Sequence, residues 1–329
     1  MKYPLRSPYL KFKRTDKDEY VIENWLYNEA YSVSRRLASF LRRLNGRRNP
    51  YKLMPGYSKE EIDQILDDLW DCSLLAPKKA AISLGTGSFI YPVMYCYPGK
   101  KKRIIAGIFN SLLLVSFIPM LLMGIYQYHQ ADYFAMHNWG EMFLGMAVGI
   151  LVGITLHELS HAAAGLSLGA HVSEVGIGTH FFLPSAYVLM DTRDVTSRFR
   201  NAQINAAGVE MNMLLYGVFM SLAVSGPENS FVLYMAAAVN LGVGIVNALP
   251  LKGLDGMHVL SNILGEEDLL KCAVRTVKKH RKRSCKTGNK AEHVAAVTAS
   301  YALIGFQVVL PLLMIYEWYN VVALVRMIL

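Results

Sequence analysis

The stretch His157-Glu158-Leu159-Ser160-His161 sets two imidazoles four residues apart, with a carboxylate beside the first. On a helix, positions i and i+4 share one face, so both rings can reach a single ion. Glu158 is displaced by about 100° around the axis, which puts it beside such an ion rather than on it. Imidazole and carboxylate donors suit Zn²⁺, and other divalent ions accept the same donors. Zinc lowers the pKa of an attacking water to about 7, and Glu158 could take that proton and return it to a leaving amine. A catalytic zinc takes three protein ligands and keeps one open position, so a third donor is required.

The motif lies inside an apolar run, where His and Glu are costly and usually functional. The 329-residue chain is 53% hydrophobic with a positive mean hydropathy, above the roughly 45–50% of soluble domains. The excess is uneven: residues 1–103 are mixed and charged, and 104–329 contain long apolar runs. A spanning helix needs about 20 mostly apolar residues. Five segments qualify: Ile104–Tyr126, Met142–Leu168, Ala202–Val224, Phe231–Pro250 and Val294–Trp318.

The formal charge of +9 gathers at 99–103 and 271–290, beside apolar runs. That placement marks the cytoplasmic face of a membrane and argues against a nucleic-acid partner. Loops 127–141 and 225–230 contain no Lys or Arg, whereas 99–103, 169–201 and 251–293 do. The alternation predicts a multi-pass protein of the cell membrane with the lipid bilayer as partner and a cytoplasmic N-terminus. The polar start, Met1-Lys2-Tyr3-Pro4-Leu5-Arg6, has no apolar signal segment.

This topology narrows the search for the third ligand. Asp255 stands just past the fourth span, at the cytoplasmic face, and His157 and His161 lie in the cytoplasmic half of the second. The depths match, and Gly253 and Gly256 on either side of Asp255 would let the backbone turn. Between the second and third spans, Val172–Ile177 and Phe181–Val188 read as short strands broken by Gly176, Gly178 and Pro184. They are expected either as a membrane-associated β-hairpin beside the site or as a plain cytoplasmic loop.

His157-Glu-x-x-His161, together with Asn247-x-x-Pro250-x-x-x-Leu254-Asp255-Gly256, resembles the site-2 protease family of intramembrane zinc metalloproteases over residues 104–320. The resemblance implies one Zn²⁺ held by His157, His161 and Asp255, Glu158 as general base, and cleavage of peptide bonds within or near the membrane. The family's Ala-Gly-Pro-x-x-Asn element reads here Ala207-Gly208-Val209-Glu210-Met211-Asn212, with Val in place of Pro. Asn212 is a candidate catalytic donor to the oxyanion or an interhelical contact. Asn247 is a candidate substrate-backbone ligand. Glu210 is left without a role, and His258 could support a ligand from behind.

Residues 1–80 read as a small α+β domain of winged-helix type. Leu10–Arg14 and Tyr20–Ile22 suggest strands. Ser34–Leu44 has apolar residues at helical spacing and stops at Asn45-Gly46. Ser58-Lys-Glu-Glu61 is a capping box for an acidic helix over Ile62–Leu75. Residues 81–103 read as a basic linker. The pattern resembles leader-peptide recognition domains of ribosomal peptide maturation systems, which add an extended peptide to a sheet edge. The resemblance implies that the front domain captures a precursor peptide for the membrane domain to cut. A membrane-protein substrate, a generic cytoplasmic regulatory domain, and a non-hydrolytic zinc transporter, immunity protein or peptide-binding adaptor are the other readings. Cys72, Cys96, Cys272 and Cys285 form no CxxC pair and are expected as free thiols.

Overall fold

The computed structural model describes residues 3–76, 82–85, 88–130, 139–180, 183–225, 230–266, 268–281, 295–309 and 312. Residues 226–229 of the loop between the third and fourth expected spans, the basic stretch 282–290 with Cys285, and the end of the expected fifth span lie outside them. The chain is mostly helical with two small sheets, and it divides into two compact units.

The first unit combines residues 1–102 with 170–191. Three strands, β1 (Leu10–Arg14), β2 (Glu19–Asn24) and β3 (Glu29–Ser34), form an antiparallel meander with Ile22 opposite Phe12 and Tyr31. The sequence reading lacked β3, although Tyr31 and Val33 alternate with Ser32 and Ser34 along it. Asn28, with φ +57, makes the left-handed turn into it. Helix α1 (Arg35–Arg43) starts where Ser34 Oγ accepts the Leu37 N–H. Helix α2 (Lys59–Asp71) carries the full Ser58/Glu61 capping box. It ends four residues before the expected Leu75, because Ser73 turns left-handed at φ +54. Ile22, Phe40, Leu41, Leu44, Ile62 and Leu69 close the core between sheet and helices.

Residues 81–103 are not merely a linker: they contain β4 (Ile82–Gly85) and β5 (Ser88–Tyr95). These continue into β6 (His171–His180) and β7 (Leu183–Asp191) as a four-stranded antiparallel sheet in chain order. The two strands expected here pair with each other as a hairpin, and with a partner that neither sequence reading supplied: β6 pairs with β5. Gly176 and Gly178 sit inside the strand because a Cβ there would strike the Tyr187 ring and the Phe89 carbonyl. Buried polar contacts fix this sheet to the front domain. Tyr9 and Tyr187 donate their hydroxyls to the two oxygens of the Glu174 carboxylate. Lys11 Nζ meets Asp191 Oδ2 at 2.7 Å. Trp25 donates to Ser173 Oγ at 3.2 Å. Burial, and then the bond to Glu174, raises the Tyr9 and Tyr187 hydroxyls above their ordinary pKa. Burial also pushes the Cys96 thiol up.

The second unit holds α3 (Lys100–Gln130) from Arg103 onward, α4 (Trp139–Leu168), α5 (Arg198–Ser225), α6 (Phe231–Ala248), α7 (Asp255–Leu264), α8 (Leu269–Arg281) and α9 (Ala295–Val309). Among the described residues four helices, α3 to α6, are long and apolar enough to cross a membrane. The fifth expected span begins as α9, which over its described length is shorter than those four. Gly145, Gly149 and Gly153 recur every four residues on α4 and let α6 approach closely. At Gly153 a Cβ would stand 2.6 Å from Asn240 Oδ1. Pro250 halts the chain after α6. Gln307 of α9 accepts the Lys252 N–H and donates to the Pro250 carbonyl, pinning the short loop that leads to Asp255.

Candidate metal centre

His157 and His161 are buried one turn apart on α4, and Asp255 opens α7. Two glycines bring α7 to them. Gly253 takes φ +91, and Gly256 packs so closely that a Cβ would strike the Ala248 carbonyl. The second role differs from the simple turn expected of Gly256. A third glycine, Gly208 of α5, leaves room for both rings, since a Cβ there would overlap His157 Nε2 and His161 Nε2.

Asp255 Oδ2 lies 3.1 Å from His157 Nε2 and 3.3 Å from His161 Nε2, and the two Nε2 atoms are 3.2 Å apart. Ligands about 2.0–2.1 Å from a tetrahedral ion stand about 3.3 Å from one another. The triangle therefore has the size a zinc ion needs. His157, His161 and Asp255 form the one group of this kind among the described residues.

Hydrogen-bond logic fixes where the ring protons are. Asn240 Nδ2 faces two carbonyls, Gly149 O at 3.2 Å and Ala236 O at 2.9 Å, so its other atom is the oxygen. That oxygen accepts from Asn212 Nδ2 at 3.0 Å. Asn212 Oδ1 is thereby left toward His157 Nδ1, at 2.6 Å, and Nδ1 must donate. His161 Nδ1 donates to the Ile204 carbonyl at 2.7 Å. In the neutral rings that metal ligation requires, the single N–H is therefore on Nδ1 and both Nε2 atoms present lone pairs. They face each other and Asp255 Oδ2, a buried oxygen with no hydrogen-bond donor among the described residues. Protonating both Nε2 atoms instead would set two cationic N–H groups 3.2 Å apart. Three converging lone pairs are what a cation satisfies.

The remaining candidates fall out differently. Glu158 is half-buried, within electrostatic reach of His157, His161 and Asp255, and makes no hydrogen bond among the described residues. Asn212 is fully buried with both polar atoms engaged. Its second N–H has no acceptor among the described residues, so the expected donation to an oxyanion stands beside a role in orienting His157. Asn247 is half-buried near the end of α6, and its side chain makes no hydrogen bond among the described residues. His258 is exposed and does not back a ligand. Glu210 is buried, and its Oε2 has no partner among the described residues. Sequence reasoning missed Asn240, although an Asn within an apolar span was a visible signal. It also missed the Ile204 carbonyl, which no sequence pattern marks. Compared with protein-family models, curated proteins and solved structures, the chain matches none.

Proposed function

We propose that this chain is a membrane-embedded zinc metallopeptidase that hydrolyses peptide bonds at or within the bilayer. The observation that carries the reading is the convergence of His157 Nε2, His161 Nε2 and Asp255 Oδ2, with both ring N–H groups turned away toward Asn212 and Ile204. A zinc ion held by these three would polarise the scissile carbonyl and lower the pKa of the attacking water. Glu158, without a hydrogen-bond partner among the described residues, takes the water's proton and delivers it to the leaving amine. Asn247 is assigned to the substrate backbone.

The bilayer is supported by α3, whose Ile105, Ile108, Leu112, Val115 and Leu122 are all more than half exposed. Lipid accommodates such a surface, and water does not. The substrate class is supported by β3, which among the described residues pairs with β2 alone and is largely exposed. An extended precursor peptide adds to such an edge as a further strand. A ribosomally made peptide fits this edge better than a helical membrane segment does.

The test is zinc content by plasma mass spectrometry, with cleavage of candidate precursors, on detergent-purified wild type, Asp255→Ala and Glu158→Gln. About one zinc per chain is expected in wild type and Glu158→Gln, and little in Asp255→Ala. Cleavage should fall roughly 10²–10⁴-fold in Glu158→Gln. Undiminished cleavage in Glu158→Gln would remove Glu158 from the chemistry, and transport with no cleavage in wild type would reassign the site to a non-hydrolytic role.

A further inference from the structure

We propose that the cleft between α2 and β5 in the first unit binds a segment of the peptide substrate in which a basic residue stands beside bulky apolar ones. The proposal rests on the peptide reading above and names a second contact for that substrate, since no β3 residue lines the cleft.

Helix α2 has two working faces. Ile62 and Leu69 point into the core. Asp63, Leu66, Asp67 and Trp70, spaced i, i+3, i+4 and i+7, form another stripe, and all four line a cleft of about 1220 Å³. Val93 and Met94 of β5 line it too. Trp70, Val93 and Met94 are 52%, 48% and 47% exposed, three large apolar side chains presented to one cavity. Exposed apolar surface gathered in this way marks a binding site more often than a bare face does. Small-molecule pockets run to about 1,000 Å³, so this volume suits several residues of an extended chain.

The polar groups give the sign of the ligand. Helix α2 carries six acidic residues and one lysine, in a chain of net charge +9. Asp63 accepts a hydrogen bond from Tyr51 at 2.6 Å. Asp67 has no hydrogen bond or ion pair among the described residues, and the Trp70 indole N–H has no acceptor there. An ammonium or guanidinium can meet Asp67 while lying against the Trp70 ring, and neighbouring apolar side chains fill the space toward Val93 and Met94. The exposed Arg47 also lines the cleft, where it can take a carboxylate or backbone carbonyl of the same peptide. The acidic stripe disfavours phosphate, which sets a peptide ahead of a lipid surface.

The test is fluorescence anisotropy with labelled dodecapeptides, one alternating Lys with Leu and Phe, the other carrying Glu for Lys. The receptor is full-length protein in detergent carrying Glu158→Gln, so that cleavage does not enter the binding signal. The Lys peptide should bind, and the Glu peptide should bind roughly tenfold or more weaker. Trp70→Ala should weaken binding roughly tenfold, and Asp63→Asn with Asp67→Asn roughly three- to tenfold. Melting of each variant checks that the unit is folded. Equal binding of both peptides, or binding unchanged in both folded variants, would overturn the proposal. So would Trp70-dependent binding to anionic vesicles with no peptide binding. Peptide binding by a protein that cleaves no peptide even with Glu158 in place would sink the hydrolytic reading and leave the cleft standing.

Discussion

Asn240 Oδ1 accepts from Asn212 Nδ2 at 3.0 Å, and through that contact one helix decides the tautomer of a histidine on another. With Asn240 held by two backbone carbonyls, Asn212 can offer only its oxygen to His157. In the neutral ring the His157 lone pair thus points toward His161 and Asp255, where the proposed zinc would sit. Groups that orient a metal-bound histidine from behind are worth about 10–100-fold in metal affinity. Asn240→Leu should therefore weaken zinc binding by about that factor, although Asn240 touches no ligand. Competition against a chromogenic chelator measures it. An unchanged affinity would mean that Asn212 holds its orientation without Asn240.

Gly208 gives a steric prediction. A methyl group there meets the Nε2 atoms of both imidazoles, so Gly208→Ala must displace α5 or the rings. Overpacking of this kind costs about 1–3 kcal/mol. Here the strain falls on the donor triangle, so zinc occupancy should drop. Gly242 of α6 is the control, because a Cβ there meets nothing within 4 Å. Gly242→Ala should keep its zinc and gain up to about 1 kcal/mol from helix propensity. Occupancy that falls equally in both variants would contradict the geometry.

The grouping of His157, His161 and Asp255 was legible because i,i+4 imidazoles in an apolar run have few other uses, and because the loop charges predicted a matching depth for Asp255. The Ser58/Glu61 capping box also reads directly, since it is local chemistry. That Asn212 also orients His157 was not legible, because two facing helices settle which of its atoms meets the ring. The β5–β6 pairing joins residues 88–95 to 171–180 across two long helices, and no local pattern encodes that partnership. Gly176 and Gly178, which read as interruptions, are sites of close approach whose reason appears only once Tyr187 and Phe89 are in place. One consequence concerns truncation. Removing residues 1–80 would take away Tyr9, Lys11 and Trp25, which hold β6 and β7, so point variants in the front domain probe peptide capture more cleanly.

Lys11 and Asp191 are 8% and 4% exposed at the side chain, and their atoms meet at 2.7 Å. Removing one partner strands a buried charge, at a cost of about 3–5 kcal/mol. Lys11→Met should lower the thermal midpoint of the first unit sharply, followed by near-UV circular dichroism in detergent. Lys11→Met with Asp191→Leu should recover most of the loss, because a buried ion pair replaced by apolar groups is often neutral or better. A double variant no more stable than the single one would show that the pair's hydrogen-bonding surroundings, rather than its charge, hold β7.

Tyr9 and Tyr187 share the Glu174 carboxylate, and burial followed by that bond raises both hydroxyls above the ordinary value of 10.0. A group whose folded pKa lies above its unfolded one holds its proton more tightly in the folded protein. Its stabilising effect is complete below about pH 10 and is lost as the pH climbs through the raised values. The first unit should therefore melt at a constant temperature across neutral pH and weaken only in strong alkali. Absorbance at 295 nm should show these two tyrosines ionising only as the unit unfolds. Tyr9→Phe should remove part of the alkaline sensitivity and cost about 1–3 kcal/mol at neutral pH, because Glu174 loses a donor. Ionisation of all tyrosines in one step near pH 10, with the unit still folded, would show that Glu174 does not hold them.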